Sequence, residues 1–110
     1  MQNLEFNRVY SASLCSKKAW YALSTVLCNT QPKIFAANKI FSTFPNEIAK
    51  TKLKGLWREN GGNAPASIFD SGREKDEVYV ATTFGICAGL LRQREISEDG
   101  FLKSEKFQKL

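Results

Sequence analysis

The feature that most constrains this chain is the spacing of apolar residues in its first half, broken by prolines and a glycine pair at regular intervals. Cys15, Ala19, Ala22, Leu23, Val26 and Leu27 recur three and four residues apart, as do Ile34, Ala37, Phe41 and Phe44. Such spacing puts each set on one face of a helix. Ser13 is placed to cap a first helix over about 14–28, ended by Asn29-Thr30. Thr30 and Pro32 open a second, because proline in a first turn has no N–H to leave unsatisfied. Pro45 stops the second and starts a third, which runs to about Asn60 and ends at Gly61-Gly62. Gly55 lies inside the third and costs it about 1 kcal/mol relative to alanine.

Beyond Asn63 the texture changes. SIF (67–69) and VYVAT (78–82) are rich in β-branched and aromatic residues and read as strands, separated by the polar stretch DSGREKDE. Residues 84–91 are ambiguous. Gly85 and Gly89 weigh against a stable helix, whereas Ile86, Cys87, Leu90 and Leu91 fit a helical stripe. A hairpin is expected around Asp99-Gly100, a favoured two-residue turn. Residues 1–12, with Leu4, Phe6, Val9 and Tyr10, are too short a pattern to decide between a strand and an irregular arm, and the tail from Ser104 is expected to fray. The sequence-based expectation is one α+β domain over 1–110, with three N-terminal helices packed on a small antiparallel sheet. Helices followed by hairpins is also the layout of winged-helix modules, an analogy of order alone.

Several chemistries lack their residues. The 110 residues contain no histidine, so the Ser-His-Asp and Cys-His arrangements are excluded. Cys15, Cys28 and Cys87 are too few and too widely spaced for a usual zinc tetrahedron, and their odd number fits a reducing compartment. No Asp or Glu is followed two residues later by Lys, and Gly61-Gly62 does not continue into a phosphate loop. Asp70, Glu74, Asp76 and Glu77 could offer oxygens to Mg²⁺, but they read as a solvated acidic turn. The stretch 19–28 follows Lys17-Lys18 but is only moderately apolar for a signal peptide. No run reaches the roughly 20 apolar residues that span a bilayer. The expectation is a cytoplasmic protein that is not an enzyme, with no cofactor, no metal and no membrane partner.

The positive signal is charge. The net charge is +5, and residues 1–55 carry +6 of it against −1 for residues 56–110. In the third helix Lys50, Lys54 and Arg58 fall within about 80° of one another, while Ala49, Leu53, Leu56 and Trp57 gather on a separate face. A row of cations of this kind can follow a phosphate backbone or enter a major groove, with Arg58 able to make bidentate contacts. Lys52 on the same helix, and Arg92, Arg94 and Lys103 of the proposed hairpin, would add contacts. A nucleic-acid-binding regulatory protein, on DNA for preference, is therefore the first expectation. The alternative is a small adaptor or inhibitor that binds an acidic surface of another protein. In that case Trp20 and Tyr21, which point about 100° apart on a helix, offer one residue to the core and the other as an exposed anchor. Phe35, Phe41, Phe44, Trp57 and Phe84 are core residues by their spacing, and stacking platforms only where exposed.

Overall fold

The computed structural model of the chain describes residues 17–62 and 64–96. These form five helices: α1 (Lys17–Leu27), α2 (Pro32–Thr43), α3 (Asn46–Gly61), α4 (Ala66–Phe69) and α5 (Lys75–Arg92). No strand occurs among the described residues. The expected α+β fold is thus replaced by a helical one, and the winged-helix-like layout goes with it. The expected hairpin turn at Asp99-Gly100, the arm 1–12, the Ser13 cap and the tail from Ser104 lie outside the described residues.

The first half follows its punctuation. Pro32 opens α2 directly after Gln31, which takes the cap position in place of Thr30. The Thr30 hydroxyl instead donates to the Leu27 carbonyl at the end of α1. Phe44 is extended at φ −103°, ψ 148°, as the residue before a proline prefers. Pro45 precedes α3, and Gly62 ends it at φ +89°, a left-handed conformation that glycine adopts without strain.

The second half departs from the strand expectation. SIF lies in the single turn α4, and VYVAT is the second turn of α5. α5 is the axis of the molecule, with Val78–Thr83 and Gly85–Leu91 all buried. A helix enclosed on every side carries no polar face, so it has no amphipathic period to reveal it. Its Val and Thr residues then resemble a strand. Helical backbone also accommodates the two buried threonines, because Thr82 donates to the Val78 carbonyl (2.7 Å) and Thr83 to the Tyr79 carbonyl (2.8 Å). Among the described residues, no buried hydroxyl is left without a partner.

Gly85 and Gly89 weaken α5 locally but let α3 approach it. An added Cβ at Gly85 would sit 2.7 Å from Trp57 Cε2, and one at Gly89 would overlap the Asn60 carbonyl oxygen. At the other end Lys75 Nζ donates to the Phe44 carbonyl (2.9 Å), just ahead of α3. α3 and α5 therefore run in the same direction, and residues 64–74 return along α3. The return carries Phe69 to an edge-on contact with Trp57 (5.7 Å, 81°) and Asp70 to Lys54. On the far side of α5, Tyr79 joins α1 and α2 through Ser24 Oγ (2.7 Å) and Asn38 Oδ1 (3.3 Å).

Candidate functional site

The cation row of α3 is set by which face that helix buries. Ala49, Leu53 and Trp57 are buried against the rest of the core, which turns Lys50, Lys54 and Arg58 to one flank. Lys50 and Lys54 share an open groove of about 460 Å³ with Glu47, Thr51, Phe69 and Asp70. Lys54 Nζ stands 3.3 Å from both carboxylate oxygens of Asp70. Glu47 lies on the same helix flank, since at 100° per residue it falls between the directions of Lys54 and Arg58. The groove thus carries two ammonium and two carboxylate groups. Arg58 is exposed and makes no ion pair with any described residue.

The other expected contacts are dispersed. Lys52 projects from the opposite flank of α3, where its Nζ lies 4.8 Å from the Phe44 ring centroid. Arg92 is exposed in the last turn of α5. Arg94 is exposed at φ +63°. Its N–H donates to the Leu91 carbonyl and that of Glu95 to the Leu90 carbonyl, a Schellman closure of α5. Arg92 and Arg94 therefore terminate a helix and line no wing, and Lys103 lies outside the described residues. The carboxylates of 70–77 separate as well. Asp70 faces Lys54, Glu77 pairs with Arg73 (3.3 Å), and Asp76 Oδ1 accepts the Glu77 N–H. No three potential metal ligands converge among the described residues.

Trp20 and Tyr21 do diverge, but both turn inward. Trp20 is fully buried, 6.4 Å from Phe84. Tyr21 is half-buried, stacks obliquely on Phe41 and Tyr79, and donates to the Asp76 carbonyl (3.2 Å). Burial pushes its phenol up, with the Asp76 charge a smaller cause. Among the described residues, the aromatic left outside is Phe35, at 50% exposure.

Phe35 belongs to a second open surface. On α2, the row Phe35–Lys39–Thr43 and the row Ala36–Ile40, continued by Phe44 just past the helix end, bound an apolar groove of about 380 Å³. It adjoins a space of about 340 Å³ between α2 and α3, lined by Ile40, Phe44, Lys52, Gly55, Leu56 and Glu59. Ile40 and Phe44 are common to both. Lys39 Nζ lies 5.9 Å from the Phe35 ring centroid, so each side of this surface has an ammonium held over an aromatic wall. Sequence spacing alone assigns Phe35 and Phe44 to the core. The signal that could have placed Phe35 outside is its position, one residue after the buried Ile34 and about 160° from the buried Ala37 on the helix wheel.

No described helix is long and apolar enough to cross a membrane. Comparison of the chain with protein-family models, with curated proteins and with solved structures finds no match in any of the three.

Proposed function

We propose that this chain is a protein-binding module that captures an acidic surface of another protein. The observation that carries this reading is the apolar groove of α2 and α3 with Lys39 on one side and Lys52 on the other. Apolar area supplies most of the free energy of association, and flanking charge selects the partner and speeds encounter. The whole net charge of the chain lies in residues 17–96, which hold twelve basic and seven acidic side chains. An acidic partner is therefore drawn to this part of the molecule at long range.

The competing reading is a nucleic-acid contact through Lys50, Lys54 and Arg58. A phosphate backbone presents closely spaced negative charges, and Glu47 and Asp70 stand among these cations. The charge row is interrupted where a duplex needs it continuous, which favours the protein partner.

Two measurements separate the readings. A displayed library of random peptides, selected on the immobilised protein, should enrich sequences that combine Asp or Glu with bulky apolar residues. In parallel, fluorescence anisotropy with short duplexes at two salt concentrations should show weak binding. Tight duplex binding with a steep salt dependence, together with no acidic enrichment, would overturn the proposal in favour of nucleic acid.

A further inference from the structure

Resting on the protein-binding reading above, we infer that the occupant of the α2/α3 groove is an acidic amphipathic helix of a partner protein, and that Gly55 is the residue that keeps the groove open to it.

Gly55 is unexplained by the fold. Glycine is the poorest helix former after proline, yet this one sits in the middle of α3. Its backbone is helical, without the positive φ seen at Gly62 and Gly72, and an added Cβ would meet nothing within 4 Å. Gly85 and Gly89 are required by close packing, whereas Gly55 is required by no contact among the described residues. What it does is leave the α3 side of the groove without a side chain beside Leu56 and Phe44.

The shape and chemistry favour a helix over an extended segment. The two rows on α2 are spaced i, i+4, and the channel between such rows is what the ridge of another helix packs into. The walls are side chains on helices whose backbone groups already bond within each helix, so they offer no strand edge. An extended peptide laid on them would strand its own N–H and C=O groups against apolar surface, whereas a helix satisfies its own. Charge then sets composition. Lys39 and Lys52, each held over an aromatic ring on opposite sides, face positions where a partner helix would carry carboxylates on both flanks of its apolar stripe. Glu59, at the α3 end, asks for a neutral or basic residue there and so fixes the direction of the helix.

The test uses the full chain and fluorescein-labelled synthetic peptides of about 18 residues, long enough for appreciable helicity in isolation. One has leucines at i, i+3, i+4 and i+7 spacing with glutamates on both flanks. A twin carries lysines for the glutamates, and a second twin has a central proline. The acidic peptide should bind roughly tenfold or more tightly than either twin, and K39E with K52E should reverse the charge preference. Gly55→Gln, which fills the groove with a good helix former, should weaken binding by about tenfold or more while its urea midpoint stays at or above that of the unaltered chain. Equal binding of the proline twin overturns the helical occupant. Acidic preference that persists unchanged in Gly55→Gln overturns the groove as the site and leaves the protein-binding reading intact. No preference for acid in any variant, with no acidic enrichment in the display selection, overturns both. Concentration-dependent dimerisation of the chain in sedimentation velocity, abolished by Gly55→Gln, would assign the groove to a second copy and overturn the partner.

Discussion

Gly55, Gly85 and Gly89, each in the interior of a helix, make a matched series for testing how α3 and α5 pack. Alanine at any of them gains about 1 kcal/mol of helix propensity, so the differences among the three variants report on space. At Gly55 a Cβ meets nothing within 4 Å, and Gly55→Ala should therefore stabilise the protein by up to about 1 kcal/mol. At Gly85 the Cβ would lie 2.7, 2.9 and 3.0 Å from three atoms of the Trp57 indole, against about 3.5–4.0 Å for a relaxed carbon contact. The indole is only 8% exposed and must retreat into packed surroundings. Overpacking of this kind costs about 1–3 kcal/mol, which leaves a net loss of about 1 kcal/mol after the propensity gain. Gly89 is the severe case. There the Cβ overlaps the Asn60 carbonyl oxygen and stands 3.2 Å from its carbon, and backbone cannot rotate aside. The end of α3 must move, for a net loss of about 2 kcal/mol. Urea unfolding followed by circular dichroism at 222 nm should rank the midpoints Gly55→Ala, unaltered chain, Gly85→Ala, Gly89→Ala, with a similar slope throughout. In thermal melts each kcal/mol corresponds to about 4–8 °C. A Gly89→Ala variant as stable as Gly55→Ala would refute the close parallel approach of α3 and α5.

Stability should fall in alkali. Burial raises the phenols of Tyr79 and, with a smaller contribution from Asp76, Tyr21 above their usual 10.0, so the folded state keeps protons that the unfolded chain loses. Stability from these groups is complete below pH 10 and is lost as pH rises further, at up to about 1.4 kcal/mol per pH unit for a group as buried as Tyr79. The urea midpoint of Tyr79→Phe should fall less steeply between pH 10 and 11.5 than that of the unaltered chain, and parallel slopes would contradict the assignment. Arg94→Gly should stabilise the protein by about 0.5–1 kcal/mol and raise the midpoint accordingly, because glycine adopts φ +63° without a Cβ penalty; a lowered midpoint would show that the Arg94 side chain holds the turn. Glu47→Gln with Asp70→Asn should create affinity for short duplex DNA at low salt, by joining Lys50, Lys54 and Arg58 into an uninterrupted row. Loss of the exposed Lys54–Asp70 pair should cost no more than about 1 kcal/mol, and anisotropy unchanged from the unaltered chain would mean that these carboxylates do not govern the surface.

How far the fold is legible depends on whether an element has a wet side. α2 and α3 each bury one face and begin at prolines, and Gly61-Gly62 closes α3. Their limits therefore follow from spacing and turn chemistry to within a residue or so. α5 has neither a wet face nor an N-terminal side-chain cap, and its run of valine and threonine mimics a strand. Only the position of 84–91 beside it, with a helical stripe of Ile86, Cys87, Leu90 and Leu91, hints at the continuous helix. Gly85 and Gly89 mislead for a related reason: propensity counts what a glycine costs its own helix and omits what its missing side chain allows a neighbour to do.

Charge fails differently. Glu47 is countable on the same flank as Lys50 and Lys54 from helix angles alone, whereas Asp70, sixteen residues from Lys54, reaches it only because 64–74 doubles back along α3. A helix wheel therefore overstates a cation row whenever a returning segment can supply carboxylates. The opposite error hides the groove. Phe35 and Phe44 match a core pattern, yet the inner face of α2 is formed by Ile34 and Ala37, both fully buried, with Ile40 and Phe41 partly buried against the core. Phe41 lies 4.5 Å from the Tyr79 ring of α5, and Phe35 is left outside at 50% exposure. An exposed aromatic on α2, adjoining a glycine of α3 that no contact among the described residues requires, is the pairing on which the proposed docking surface rests.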